Sequence, residues 1–237
     1  MENRLHHNSG KALDCVVESH QLCAAVIPCF NEVRSIGAVV DAALRYVPAV
    51  WVVDDGSTDR TRTEAERAGA SVIRHEVNLG KGASLRDGLS AARAAGYFFA
   101  VTLDGDGQHD PADMPRLIEA ARGGGDLVIG NRMQFCSYMT AIRRFVNRWM
   151  SARLQKSLGI DCPDSQCGFR VVRLEAWAGL TLRQNRFEVE SEMLTTFARA
   201  GLKIAFVPVK CLPAQRNSRI RPIADSLRWF RWWLATK

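Results

Sequence analysis

Long apolar runs are missing from this sequence of 237 residues. A helix that crosses a bilayer needs roughly 18 to 20 consecutive apolar residues, and no stretch approaches that length. The best early candidate, residues 22–30, contains Pro28 and follows a polar leader without the small-residue cleavage pattern of a signal peptide. We therefore expect no transmembrane helix, and we interpret residues 1–20 as a flexible tail.

Cysteine pairs with the spacing of metal or redox sites are missing as well. The chain has seven cysteines, an odd number, and no two of them form a Cys-x-x-Cys motif. The pattern indicates neither a zinc site nor a disulfide framework, and it favours a reduced, cytoplasmic environment with packed thiols. Internal repeats and low-complexity segments are absent too.

The charge balance is basic. Thirty-two basic and 25 acidic residues give a net charge of +7, which favours an anionic partner such as nucleic acid, anionic lipid or a phosphorylated substrate. A chain of this length with 47% hydrophobic residues is sufficient for one sizeable core, so residues 21–237 are predicted to form a single domain.

Short apolar runs alternate with segments of helical periodicity over the first half of the chain. This rhythm predicts an α/β fold with a mostly parallel central sheet and helices on both faces. The predicted strands are 22–27, 50–53, 71–74, 97–103 and 127–129, followed later by 203–207. The predicted helices are 33–46, 58–69, 81–96, 111–122, 138–158 and 188–200.

Polar clusters stand where four of these strands end. The first, second, fourth and fifth runs end in "PCFNE", "DDGSTD", "DGDGQHD" and "GNR". Ligands of open parallel sheets bind beyond the carboxyl ends of the strands, so these clusters are predicted to share one rim.

The segment "VTLDGDGQHDP" carries the most specific chemistry. Asp104 and Asp106 point the same way if strand geometry continues past Leu103, and two carboxylates can then share one ion. Gly105 and Gly107 keep the backbone open to a bulky anion. Hard oxygen ligands suit Mg²⁺ or Mn²⁺, and few protein ligands leave positions for phosphate oxygens.

Other interpretations of this segment fit less well. An EF-hand loop starting at Asp104 needs Gly and Glu where His109 and Pro115 stand. A phosphatase nucleophile is expected near the first strand, not the fourth. Asp110 before Pro111 fits a helix cap, which leaves the two preceding aspartates unexplained. The segment 52–61 can likewise be a turn with Asp55 or Ser57 as a cap.

Taken together, "VIPCFNE", "VVDDGSTDRT" and "LDGDGQ" resemble the family 2 glycosyltransferases of GT-A fold. The segments "GNRM", "RRFVNR", "DSQCGFRVVR", "FEVESEML" and "QRNSRI" narrow the likeness, over residues 22–233, to dolichyl-phosphate mannose synthases and bacterial polyprenyl-phosphate glycosyltransferases. The sequence departs from the pattern at Asp110, often Pro in the family, and at Arg219, often Lys. It also lacks the C-terminal membrane helices of self-anchoring members.

The resemblance implies a role for each matching residue. The donor nucleotide would contact Pro28, Phe30, Glu32, Val53 and Asp55. The metal motif would be Asp104, Gly105 and Asp106, with Gln108 as a further ligand. The acceptor phosphate would be held by Arg132 and by Arg143 or Arg144. From a mobile loop, Arg216 and Arg219 would close over the phosphates of donor and acceptor. Asp104, Asp106, Arg132 and Arg216 would carry the catalysis.

The implied reaction is a metal-dependent, inverting transfer of a hexose from a donor of GDP-mannose or UDP-glucose type to a polyprenyl phosphate. A phosphate acceptor is already an anion, whereas a hydroxyl acceptor on a lipid or small molecule needs a base. Glu190 and Glu192 are the candidates for that base. The alternative is a structural role, because acidic residues are common at the start of a helix, near its positive end. A non-catalytic scaffold and a sugar nucleotidyltransferase fit less well, the latter because no Gly-rich loop follows the first strand.

Two segments rich in basic and aromatic residues bear on where in the cell the protein acts. Residues 138–158 predict a helix with one apolar face and one arginine face; the apolar face would be Ile142, Phe145, Val146, Trp149, Met150 and Leu154. The tail places Trp229, Trp232 and Trp233 among basic residues, as at a membrane interface. We expect residues 133–160 and 212–237 to face acceptor and membrane, at the cytoplasmic side, directly or through a membrane-anchored partner. The alternative for the tail is a helix packed on the core, and nucleic acid is disfavoured.

Overall fold

A seven-stranded sheet forms the centre of the computed structural model, which describes residues 22–135, 137–213 and 222–236. Its spatial order is β3-β2-β1-β4-β6-β5-β7. The strands are β1 (Cys23–Cys29), β2 (Val50–Asp54), β3 (Ser71–Arg74), β4 (Phe99–Thr102), β5 (Leu127–Asn131), β6 (Arg170–Arg173) and β7 (Ile204–Pro208). All strands predicted from the sequence are present, and none of their ends is displaced by more than about two residues.

Helices connect most of these strands. They are α1 (Ile36–Ala43), α2 (Thr61–Arg67), α3 (Lys81–Ala94), α4 (Met114–Arg122), α5 (Ala141–Leu158), α6 (Leu174–Ala178), α7 (Val189–Arg199) and α8 (Pro222–Ala235). A short 3₁₀ turn, Pro111–Asp113, precedes α4, and Asp110 caps it by accepting a hydrogen bond from the Ala112 amide. The predicted cap at Asp110 is confirmed.

The sheet is mostly parallel, as predicted, and β6 is the exception. It runs antiparallel to both of its neighbours, β4 and β5. The sequence analysis missed this strand because its two valines lie between two arginines. Arg170 is nonetheless fully buried, and its guanidinium donates to the carbonyls of Cys167, Glu190 and Ser165. These bonds offset the cost of burying the charge.

Helices cover both faces of the sheet. On one face, α3 packs so closely that a methyl group added at Gly88 would lie 2.3 Å from Cγ1 of Val26. Ile27 follows Val26 and therefore points to the opposite face, where it lies near Ile36 of α1. Strand β1 is thus buried from both sides, which explains its continuous apolar sequence.

The tail prediction was wrong for its tryptophans. Trp229, Trp232 and Trp233 of α8 are buried, and the ring of Trp229 lies 5.6 Å from that of Trp149 on α5. The indole nitrogen of Trp229 donates to Ser191 Oγ at 2.7 Å. The alternative, a helix packed on the core, is the one the structure bears out.

The predicted apolar face of residues 138–158 needs a correction too. Met150 and Leu154 are buried as expected, but Ile142 and Phe145 are largely exposed. The reason is that α8 and α7 cover only the later turns of α5, so its first turns extend beyond the core. Among residues 22–135, 137–213 and 222–236, none of the helices combines the length and apolarity required to cross a bilayer.

We predict that Gly88→Ala lowers the free energy of unfolding by roughly 1 to 3 kcal/mol, because the added methyl group overpacks the contact with Val26. Gly37→Ala is the matched control. Its nearest neighbour would be a carbonyl oxygen 3.8 Å away, so it should be neutral or stabilising. Urea denaturation measures both. Equal stability of the two variants would contradict the close packing of α3.

Candidate functional site

A cavity of about 570 Å³ opens at the carboxyl edge of the sheet. Residues from the ends of β1, β2, β4 and β5 line it, as the sequence predicts. The start of α3, the first turns of α5 and parts of α7 and α8 complete its wall. The predicted residues that line it are Pro28, Phe30, Glu32, Asp55, Asp104, Gly105, Asp106, Gln108, Arg132, Arg143 and Glu190.

A lysine that the sequence analysis missed lies at the centre of this cavity. The Lys81 ammonium is 2.5 Å from Asp104 Oδ1 and 2.5 Å from Glu190 Oε1. Burial alone would lower its pKa, but the two carboxylates outweigh burial and raise it. Burial likewise opposes ionisation of Asp104, and Lys81 reverses this and lowers the pKa of that carboxyl. Both groups are therefore charged at neutral pH.

Asp106 is held by its own neighbour rather than by a cation. Its two carboxylate oxygens accept from the backbone amide of Gln108 at 3.0 Å and from the Gln108 side chain at 2.9 Å. Burial raises the pKa of Asp106, and the charge of Asp104 raises it further. A second positive charge here would relieve the repulsion between the two carboxylates.

His109 holds the backbone of Asp104 in place. Its Nδ1 accepts a hydrogen bond from the Asp104 amide at 3.2 Å, and its ring stacks on Phe169 with centroids 5.2 Å apart. Burial lowers the pKa of His109 to about 4, and the nearby Arg132 charge acts in the same direction. The imidazole is therefore neutral and holds the Asp104 backbone in place.

Asp55, just after β2, positions the loop that leads to Lys81. Asp55 is buried and accepts from the amides of Leu79 and Gly80, both at 2.8 Å, so it fixes the loop that presents Lys81. It does not cap α2, which begins after Arg60. Ser57 does not either; its hydroxyl accepts from the Asn31 amide.

Val53 was predicted to lie beside the donor nucleotide, but its side chain does not line the cavity. It is fully buried in β2 and packs against α3. Gly105 lines the cavity and has a packing role as well. A methyl group there would lie 2.7 Å from Cys29 Sγ, so the close approach to β1 requires glycine.

Arg132 lines the cavity while its guanidinium is paired with the protein. Nε and Nη2 bind the two oxygens of Asp164 at 2.8 and 3.0 Å, and the Arg132 amide binds Oδ2 at 3.1 Å. Asn147 of α5 donates to the same carboxylate at 2.9 Å. The pair ties the end of β5 to the loop before β6.

Two pairs of alternatives from the sequence differ in their position relative to the cavity. Arg143 lines the cavity and Arg144 does not. Glu190 lines it, whereas Glu192 accepts from the amides of Arg183 and Gln184 at 2.9 and 2.8 Å and thereby holds the loop before α7. The predicted phosphate ligands Arg216 and Arg219 lie outside the described residues.

The signal for Lys81 was present in the sequence. The motif "NLGKG" follows the third strand, for which no polar cluster was considered. Arg186 and Arg228 also line the cavity without having been predicted there. They come from elements distant in sequence, which no local pattern connects.

The acidic pair fits a divalent cation. Asp104 and Asp106 offer hard carboxylate oxygens on the cavity wall, the donors that Mg²⁺ and Mn²⁺ prefer. Within the described part of the chain, no group of three or more His, Cys, Asp or Glu side chains is arranged to hold a metal. Two protein carboxylates alone would leave most coordination positions to a bound ligand.

The acidic pair and the buried lysine lie at the carboxyl edge of a mostly parallel α/β sheet, which is where ligands of such sheets bind. The crystal structure of glucosyl-3-phosphoglycerate synthase from Mycobacterium tuberculosis with Mn²⁺, UDP-glucose and phosphoglyceric acid is similar, with a TM-score of 0.77 and 25% identity over 98% of this chain and 85% of that one. The sequence model described as Glycosyl transferase family 2 matches residues 24–179.

Sequence relatives point the same way. An undecaprenyl-phosphate mannosyltransferase of Micrococcus luteus is 29% identical over 198 residues, which cover 78% of this chain and 81% of the relative. A UDP-N-acetylglucosamine–dolichyl-phosphate N-acetylglucosaminyltransferase of Methanococcus voltae is 30% identical over 216 residues, or 81% and 86%. The chain belongs to glycosyltransferase family 2 and has the GT-A fold. It is a glycosyltransferase that uses a nucleotide sugar, and the predicted resemblance is confirmed.

We predict that Asp164→Asn lowers the free energy of unfolding at pH 7 by about 3 kcal/mol, because it leaves the buried guanidinium of Arg132 without a counter-charge. Burial raises the pKa of Asp164, but Arg132 outweighs burial and lowers it. The carboxylate therefore stabilises the fold above its usual pKa, and this contribution is lost as the pH falls through the lowered value.

Urea denaturation between pH 7 and pH 3 checks this prediction. The gap between wild type and Asp164→Asn should narrow as the pH falls. Asp161→Asn, an exposed change in the same loop, should behave as wild type at every pH. A gap that stays constant down to the lowest pH would contradict the proposed pairing.

Proposed function

We propose that this glycosyltransferase moves a hexose from a nucleoside diphosphate sugar to a polyprenyl phosphate, with inversion, at the cytoplasmic face of a membrane. The observation that carries the proposal is the two-sided cavity. Its inner wall holds the charged group Lys81, Asp104 and Asp106. Its outer wall is apolar and is formed by Met139, Ile142, Val146 and Met150. A ligand with a charged head and a hydrocarbon tail suits both walls.

The donor would bind at the charged wall. Asp104 and Asp106 would hold Mg²⁺ or Mn²⁺, with Gln108 as a further oxygen ligand, and such an ion supplies charge stabilisation to a departing diphosphate. Lys81 lies beside Asp104 and offers a second positive charge to the same phosphates. We assign the nucleotide to the pocket wall formed by Pro28, Phe30 and Glu32, with Asp55 as the residue that positions the loop before Lys81.

The acceptor phosphate would lie near Arg143, with Arg132 behind it. Burial lowers the pKa of Arg143, and the nearby Arg132 charge lowers it further. Among the described residues, Arg143 has no carboxylate partner of the kind that Asp164 gives Arg132, so an anion bound beside it would stabilise its charged form. A phosphate anion attacks without a general base, which agrees with the neutral His109 and the paired Arg132. Arg216 and Arg219 remain predicted phosphate ligands.

Transfer to a hydroxyl is the second candidate, and one observation favours it. Glu190 Oε2 is buried at the cavity wall and has no hydrogen-bond partner among the described residues. A sugar or lipid hydroxyl would supply that partner, and the carboxylate would then serve as base. Glu192 is not a candidate, since both of its oxygens are taken by backbone amides.

We predict that Asp106→Asn lowers turnover with Mn²⁺ or Mg²⁺ by roughly 100-fold or more, because it removes one of two carboxylates that would hold the ion. Asp110→Asn is the control. It lies four residues away and retains the ability to cap the 3₁₀ turn. Release of nucleoside diphosphate is the measurement, and equal rates for both variants would contradict the metal assignment.

A screen of donors and acceptors tests the proposal itself. GDP- and UDP-sugars are incubated with Mn²⁺ and either a short polyprenyl phosphate or the matching alcohol, and the products are identified by mass. We expect a product with the phosphate alone. Glu190→Gln keeps an oxygen for Lys81 and removes only the charge, so it should lower that rate without abolishing it, because no base is needed. A product with the alcohol that Glu190→Gln abolishes would establish the hydroxyl reaction instead.

A further inference from the structure

The loop before α5 and the first turns of that helix carry an unusual set of exposed apolar side chains. Phe135, Tyr138, Ile142 and Phe145 are 49%, 64%, 69% and 71% exposed, and we call these four residues the apolar patch. Ile142 and Phe145 lie one helical turn apart and so share a face. Exposed apolar groups scattered singly are ordinary, whereas four large ones within eleven residues mark an interaction surface.

The segment that carries most of the apolar patch is basic. Residues 137–156 contain five basic residues and no acidic residue. The basic residues are Arg143, Arg144, Arg148, Arg153 and Lys156. Arg148 is exposed and follows Phe145 by one turn. Aromatic and aliphatic side chains beside arginines are the composition of a surface that rests on anionic lipid headgroups.

The apolar patch is continuous with the cavity. Ile142 belongs to both, and Met139 and Val146 continue the apolar wall inward. On the opposite lip, Phe187 lines the cavity and is 38% exposed. An amphiphile whose head lies at the charged wall would therefore leave the cavity beside the apolar patch, at the level where a bilayer surface would be.

We infer that the apolar patch inserts into the surface of an anionic bilayer and brings the cavity mouth to the membrane. The inference deepens the proposed function and rests on it, because the cavity mouth needs to face a membrane only if the acceptor is a lipid. The C-terminal tryptophans are not available for this task, because α8 buries them against α5 and α7. A second copy of the chain is the competing occupant, because aromatic residues and arginines are enriched in protein interfaces as well, and the test below separates it from a membrane.

Vesicle co-sedimentation tests the inference without any substrate. Wild-type protein should bind vesicles of phosphatidylglycerol and phosphatidylethanolamine, and should bind phosphatidylcholine vesicles much less. Tyr138→Ser/Phe145→Ser removes two residues of the apolar patch that do not line the cavity. It should weaken partition onto the anionic vesicles by about tenfold or more, given the apolar area lost. Phe98→Ser, an exposed change before β4, should leave partition unchanged.

Melting curves and light scattering complete the test. The double variant should melt like wild type, and it should keep wild-type donor hydrolysis in detergent-free buffer. Wild-type protein that ignores both vesicle types, or a folded double variant that binds as tightly as wild type, would overturn the inference. So would a wild-type dimer that the double variant converts to monomer, since a second copy would then cover the patch. Vesicle binding without any transfer activity would leave this inference standing and would count against the proposed function.

Discussion

Negative charge gathered at the carboxyl edge of the sheet must be compensated, and much of the site is arranged to do this. Lys81 lies between Asp104 and Glu190, which come from the ends of two other elements. Arg132 and Asp164 form a second buried pair a short distance along the rim. Each pair joins segments far apart in sequence. The charged side chains that balance each other therefore also hold the cavity wall together. An uncompensated charge at this depth would cost several kcal/mol.

The same arrangement gives the cavity one charged wall and one apolar wall. Strand ends provide the charged inner wall, because parallel strands deliver their carboxyl ends to one rim. The outer wall comes from α5, whose first turns extend beyond the core and present apolar side chains at the mouth. The charged residues of the cavity are thus adjoined by apolar ones from α5. This juxtaposition suits the acceptor that we propose, with its phosphate head and hydrocarbon tail.

The sequence predicts the sheet well because buried parallel strands appear as continuous apolar runs. It predicts Asp104 and Asp106 because they follow such a run directly. The sequence is a poor guide where contacts between distant segments decide the outcome. Lys81 is placed by Asp104 and by Glu190, and Glu190 follows it in the chain by more than one hundred residues. Helical periodicity likewise put Phe145 and Met150 on one buried face of α5. It carries no information on how far along α5 the covering helices α7 and α8 extend, and Phe145 is exposed. Strand β6 was missed for the same reason, because the contacts that allow Arg170 to be buried in it cannot be read from the local sequence.

Anomalous diffraction from crystals soaked with Mn²⁺ and a nucleoside diphosphate addresses the central claim most directly. The account predicts one manganese peak in contact with the carboxylates of Asp104 and Asp106, with phosphate oxygens bound to the same ion and the diphosphate within reach of Lys81. A diphosphate ordered in the cavity with no manganese at the acidic pair, or manganese held by other residues, would contradict it.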